Sequence, residues 1–340
     1  MTYLNIGCHN NNTSVHMISI ITTFKPFNGL ALIHQVNALQ SWIKFIENPE
    51  IIVVGQCDGF ESIMNKYNFK VKWIRGVKTS YTGAPYLDDM IEKGLDAAKN
   101  EFICIINGDI ILLPDFMSTF LLVVNKYTRF LLTSRRLDLK IDHILNFDVR
   151  ETVSYLKENA RKNYSYHNDK RLLPIDLFVF HRDFLLDVKI PPFVYGRGIF
   201  VRWFIYNAYR KRIPIIDATP VLTAVHQLHS HDHIKDTVVK KLINKTGDDW
   251  LGIMAGWEFK WNLEVAGPAA YFSEGDFTHV FTERGIVKLN TVRHIARSAL
   301  KRAFLPPYSK ISFPLIKALL PSRIVRSFTK RTLRKLKLLY

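Results

Sequence analysis

An α/β fold, with a mixed and mostly parallel sheet flanked by helices and followed by a basic helical tail, is what this 340-residue chain predicts. Three observations carry that expectation. From Met17 onward, short apolar and β-branched runs alternate with amphipathic stretches, the rhythm of a parallel sheet covered on both faces. The run from Glu101 to Leu112 is interrupted by Asn107-Gly108-Asp109, which carries an amide and an acid to the carboxyl end of a buried strand, where open α/β sheets hold ligands. Charge is segregated as well. Fourteen of the 47 Lys and Arg lie between Lys288 and Tyr340 with no Asp or Glu among them, leaving a nearly neutral body of 33 basic against 30 acidic residues.

Taken in order, residues 1–16 are polar and Asn-rich, a loose leader without the basic and apolar regions of a secretory signal, and Met17 offers an alternative start. Ile18 to Thr23 reads as the first strand and Leu30 to Ile46 as a helix with Leu32, Val36, Leu39 and Ile43 on its inner face. Glu50 to Gly55 is a second strand, closing at Gln56-Cys57-Asp58-Gly59. Phe60 to Tyr67 is a short helix and Val71 to Ile74 a third strand. Ala84 to Asn100 is a helix turning Leu87, Ile91, Leu95 and Ala98 inward, and the run from Glu101 is the fourth strand. Leu173 to His181 is a later strand. Beyond Lys288, helical stretches are split by Pro306-Pro307, Pro314 and Pro321.

Several classes are excluded or disfavoured. Three scattered cysteines, Cys8, Cys57 and Cys104, have no metal-ligand spacing and point to a reducing compartment. No run of 18 apolar residues predicts a membrane span. No Gly-x-Gly-x-x-Gly follows the first strand and no phosphate-binding Gly-x-x-x-x-Gly-Lys occurs, which argues against a dinucleotide oxidoreductase and a P-loop nucleotidase.

The candidate chemistry begins at Asp109 and Asn107, whose hard oxygens suit Mg²⁺ or Mn²⁺, against the alternative of an ordinary strand-to-loop turn. Arg197, between Gly196 and Gly198, has the planar fork to clamp phosphate, whereas Arg202 reads as a surface residue. Asp176, near the start of an apolar strand, is either a general base or a solvated edge acid. Asp217 is either a second polar wall of a cleft or a strand-ending acid. His226, His229, His231 and His233 with Asp232 suggest zinc in isolation, although such pairs are more often satisfied by hydrogen bonds.

The order Ile18 to Phe24, Ile51 to Gly55, Tyr81-Thr82-Gly83-Ala84-Pro85 and Asn107 to Ile111 resembles the nucleotide-sugar-binding half of GT-A fold glycosyltransferases, within the nucleotide-diphospho-sugar transferases related to family 2 of bacterial polysaccharide assembly. Tyr195-Gly196-Arg197-Gly198, Ile213 to Thr219 and Thr223 to His229 are similar to more specific blocks of that group. The resemblance implies a domain over 17–285, with a nucleotide-sugar-binding half at 17–125 and an acceptor-binding half at 126–285. It implies a donor nucleoside-diphosphate sugar and a Mn²⁺ or Mg²⁺ ion held by Asp109, with Asn107, in place of the usual first acid, on ribose or metal. It further implies His226 closing over the diphosphate and the metal from the opposite side, as a metal or diphosphate contact, with His229 a weaker candidate. Thr22, Thr23 and Phe24 fall at the base, Phe24 being equally readable as a packed aromatic. Asp58 falls at the ring N–H, Gly83 and Pro85 in a tight turn beside the nucleotide, and Asp176 at the acceptor hydroxyl. The chain departs from the pattern at Val201, where relatives carry an acid.

In residues 286–340, Leu and Phe interleave with Lys and Arg, the pattern of a basic amphipathic segment lying on an anionic membrane. The combined expectation is a metal-dependent, inverting glycosyltransferase acting on a glycan or lipid-linked acceptor, cytoplasmic and peripheral on the inner face of the membrane, with no nucleic acid partner. The competing readings are a basic nucleic-acid-binding protein working through the tail and a zinc-dependent hydrolase built on His226 to His233.

Overall fold

Five consecutive buried residues form β1 (Ile18–Thr22), and their alternation explains why none faces water. Ile18 and Ile20 enter an apolar cluster on one face of the sheet and Ile21 enters the cluster on the other. The computed structural model describes residues 18–162, 174–229 and 256–289. Within them β1 is flanked by β2 (Glu50–Val54) and β4 (Phe102–Ile106), with β3 (Lys72–Ile74) outside β2, and all these pairs are parallel. Helices α1 (Gly29–Phe45), α2 (Phe60–Tyr67) and α3 (Leu87–Ala97) connect them. Gly94 lets α3 approach closely, because a Cβ there would stand 2.6 Å from Ile21 Cγ2.

The other half is mixed. β7 (Ile175–His181) runs antiparallel to β4, and β6 (Leu131–Leu139) antiparallel to β7. Next come β8 (Ile215–Asp217) and β10 (His279–Thr282), each parallel to its inner neighbour, and a hairpin edge, β11 (Gly285–Lys288). The path β11-β10-β8-β6-β7-β4-β1-β2-β3 is continuous through both expected halves. The expected α/β class and mostly parallel sheet are therefore observed. The remaining helices are α4 (Asp115–Val124), α5 (Arg150–Arg161), α6 (Phe200–Arg210) and α7 (Trp257–Val265).

Two departures from the sequence reading matter. The expected fourth strand is two: after the turn at 107–109 the chain becomes β5 (Ile110–Leu112), which pairs antiparallel with β9 (Ala224–Gln227). β6 makes room for this by shifting register between Ser134 and Arg135, pairing with β8 before the shift and with β9 after it. The inner face of α1 is also rotated. Val36 and Leu39 are buried as expected, but Trp42 takes the place given to Ile43, which is 41% exposed. His34, Gln35, Asn37 and Ser41 are buried on that helix because they hold the loops of the site. The leader, His231, Asp232, His233 and the tail beyond Leu289 lie outside the described residues.

Candidate metal centre

The turn after β4 is fixed from beneath. A Cβ on Gly108 would stand 2.4 Å from Phe24 Cδ1 and 2.8 Å from the Thr23 carbonyl oxygen, so only glycine lets the turn rest on the loop after β1. α1 then holds β5: Trp42 Nε1 donates to the Ile110 carbonyl (2.9 Å) and Leu112 N to Ser41 Oγ (3.1 Å). Buried Gln227 ties β9 to the turn, its Nε2 donating to the carbonyls of Asp109 (3.1 Å) and His34 (2.8 Å) while its Oε1 accepts from Asn37 Nδ2 (2.9 Å).

That pairing brings together three side chains far apart in sequence. His229 Nε2 lies 3.0 Å and His226 Nε2 3.8 Å from Asp109 Oδ2, and one ligand atom of each residue falls within 4.8 Å of the others. Neighbouring ligands of an octahedral ion stand about 3 Å apart and opposite ones about 4 Å, so the spacing fits one small cation. His226 Nδ1 meets Asp138 Oδ1 at 2.8 Å. With the proton held on that nitrogen, the Nε2 lone pair faces Asp109, the arrangement by which a carboxylate orients a ligating imidazole. Asp109 Oδ1 is buried with no hydrogen-bond partner among the described residues, a costly state for a carboxylate oxygen unless an ion satisfies it. One carboxylate and two imidazoles suit Mn²⁺ better than Mg²⁺, which prefers oxygen.

The surroundings are cationic. Burial alone would raise the Asp109 pKa, but the His229 hydrogen bond and the charges of His226 and Lys25 hold it well below the usual carboxylate range. Lys25 Nζ stands 3.5 Å from His229 Nε2. Burial lowers its pKa, Asp109 opposes that, and the charges of Arg197 and Arg136 add to the lowering, which puts both guanidiniums within electrostatic reach of the centre.

Asp176 and Asn107 sit beside this centre. Asn107 N donates to the Asp176 carbonyl (3.1 Å), and Tyr195 Oη donates to Asn107 Oδ1. The Asp176 carboxylate is paired with Arg136 Nη1 at 2.9 Å, and Arg136 Nε lies 3.2 Å from Asp138. Arg197 is buried, with its Nε donating to Glu258 Oε2 at 2.6 Å, so that edge of its fork serves the fold. The other oxygen of Glu258 accepts from Ser80 Oγ and from Thr82 Oγ1 (2.5 Å), clamping the turn that holds Gly83 and Pro85. Gly83 adopts φ +89° at the tip of that turn, and the Pro85 carbonyl accepts from Tyr195 N.

Other expected residues make the following contacts. Phe24 is 6% exposed, edge-on to Phe27 and stacked on Trp42, so it packs the core rather than presenting a face to a base. Thr22 Oγ1 is buried and donates to the Ile106 carbonyl. Thr23 is half-buried, its Oγ1 against Gly55. Asp58 is exposed, and its carbonyl accepts from Phe27 N. Asp217, 1% exposed, accepts from the backbone and hydroxyl of Thr219 and caps the loop after β8. Val201, at the position of the missing acid, is buried in the apolar cluster around α6.

Sequence reasoning overlooked Lys25, His34, Asp138 and Glu258. The His-x-x-His of 226–229 was the signal for the metal set; no spacing marks Asp138, which arrives from β6 through the ladder to β9.

No protein-family model matches the sequence, and no curated protein does. Among solved structures, the chain is similar to residues 1–349 of S. aureus TarS in complex with UDP-GlcNAc, at 13% identity over 94% of this chain and 85% of that one, with a TM-score of 0.47. It is also similar to glucosyl-3-phosphoglycerate synthase from Mycobacterium tuberculosis in complex with Mn²⁺, uridine diphosphate and phosphoglyceric acid, at 15% identity over 71% and 78% of the two chains and a TM-score of 0.40. What the site can do is read from its own residues.

Proposed function

We propose that the chain is a metal-dependent transferase of GT-A type that binds a nucleoside-diphosphate sugar at the carboxyl end of β4. More particularly, it moves the sugar to a hydroxyl of a glycan or lipid-linked glycan. The observation carrying this reading is the convergence of Asp109, His226 and His229, with a buried carboxylate oxygen left unpartnered. A divalent cation bound there supplies positive charge to the diphosphate as the glycosidic bond breaks. Asp109 is kept ionised by the imidazoles and Lys25, Asp138 fixes the His226 ring, and Asn107 lines the same edge. Asp176, on the strand beside β4 and with its carbonyl accepting from Asn107 N, is the candidate to take the acceptor proton, with Arg136 orienting it. Arg197 braces the 80–85 turn beside the nucleotide. The basic tail, read from sequence, would bring the enzyme to the inner face of an anionic membrane where a lipid-linked acceptor resides.

The donor set also matches a zinc hydrolase, the one rival that a specific observation favours. A thermal-shift screen separates them, because ligands that bind the folded state raise its Tm. UDP or GDP should raise Tm with Mn²⁺ and much less without it. Stabilisation by Zn²⁺ alone, with no response to any nucleoside diphosphate, would replace this reading with the hydrolase.

A further inference from the structure

Lys25 is held in place more firmly than a solvated lysine requires. Its backbone N donates to Gln35 Oε1 (2.6 Å), and its carbonyl accepts from Gln35 Nε2 (3.0 Å) and Cys57 Sγ (3.1 Å). Gln35 and Cys57 are each 3% exposed, so this grip is buried. From there the half-buried side chain reaches His229 Nε2 at 3.5 Å, the atom that also lies 3.0 Å from Asp109 Oδ2. If that nitrogen is given to an ion, the ammonium loses its contact and stands beside a second cation. Two cations so close repel one another, and an anion bridging both turns the repulsion into attraction.

We propose that Lys25 is a ligand of the donor's diphosphate, shared with the metal ion, and that it makes ion and diphosphate bind cooperatively. This rests on the reading of the site as a nucleoside-diphosphate centre. Without the anion Lys25 opposes the metal; with the anion its three N–H donors complete the cradle. Each ligand then raises the affinity of the other by the same factor, as linkage requires.

The test is calorimetric titration of the full chain with Mn²⁺, UDP, GDP and inorganic pyrophosphate, singly and together, for wild type and Lys25→Met. Wild type should bind Mn²⁺ at least tenfold tighter when UDP is present. Lys25→Met should bind Mn²⁺ alone as tightly or tighter, yet lose about tenfold in affinity for both UDP and pyrophosphate in the presence of Mn²⁺. The matched loss for pyrophosphate places the contact on the diphosphate rather than the base. Should Lys25→Met fail to fold, Lys25→Gln carries the same comparison, and the Tm of each metal-free variant reports any purely structural role. Unchanged UDP and pyrophosphate affinity in the variant would overturn the role of Lys25 while leaving the donor site intact. Wild type that binds Mn²⁺ but neither UDP nor GDP would overturn the site reading and this inference together.

Discussion

Asp109 and Glu258 are both acids set among cationic or hydroxyl donors, and they differ in what their oxygens touch. Glu258 has both oxygens occupied, one by Arg197 and the other by Ser80 and Thr82. Asp109 has imidazoles gathered on Oδ2 and nothing on Oδ1 among the described residues. A carboxylate whose hydrogen-bonding capacity is filled by the fold is architecture. One that the fold leaves half-filled, while surrounding it with two further ligand atoms, is a place for something else.

The largest effect should come from breaking the filled acid. Removing one partner of a buried ion pair strands the other, so Glu258→Ala should destabilise the protein by about 3–5 kcal/mol, read by urea unfolding. Under conditions where the variant is folded, its Mn²⁺ affinity should stay within about threefold of wild type, since Glu258 contributes no ligand atom to the set. Asp109→Ala should do the reverse. Loss of the only carboxylate in the set should lower Mn²⁺ affinity by roughly 100-fold or more, with a smaller cost in stability than Glu258→Ala. If Asp109→Ala keeps wild-type metal affinity, the contrast between the two acids has been misread.

A subtler variant sharpens the same contrast. Asp138 supplies no ligand atom to the set and stands behind His226, so Asp138→Asn should weaken Mn²⁺ binding by about 10-fold, the scale typical of carboxylates behind a ligating histidine. The amide can still accept from Nδ1 but gives up the charge facing Arg136 Nε, so the stability loss should be small beside that of Glu258→Ala. A variant indistinguishable from wild type in metal affinity would mean that His226 is not a ligand.

Much of this is legible in the sequence. The β-branched runs marked β1, β2 and β4, and the break at Asn107-Gly108-Asp109 marked the edge where the centre lies. What the sequence could not reveal depended on long-range pairing. β5 has three residues, too few for periodicity, and its antiparallel partner lies more than a hundred positions away, so no local signature brings Asp109 to His226 and His229, and only the family resemblance implied that Asp109 and His226 share a metal. Phe24 was readable both as a base platform and as a packed aromatic; its burial and the close approach of Gly108 to its ring give it a packing role. Glu258 shows the same limit, since nothing local on its helix signals that Arg197, Ser80 and Thr82 surround it.

The smallest expected effect concerns His34, packed beneath the centre with its Nε2 against the Ile141 carbonyl at 2.8 Å. Burial holds its pKa below the ordinary histidine value, the Ile141 hydrogen bond and the Asp109 charge oppose that, and His229 and His226 add to the lowering. The folded protein therefore keeps this ring neutral at a pH where the unfolded chain, with a pKa near about 6.5, takes up a proton. Its contribution to stability is complete above that unfolded pKa and is lost as pH falls through it toward the folded value. His34→Gln can still donate to Ile141 but cannot titrate, so its Tm should fall less than that of wild type between pH 7 and pH 5. A difference of about 1–3 °C in that change is expected for a chain of this size, read by metal-free thermal melts. Parallel pH profiles for the two proteins would show that this setting does not hold the ring below its ordinary value.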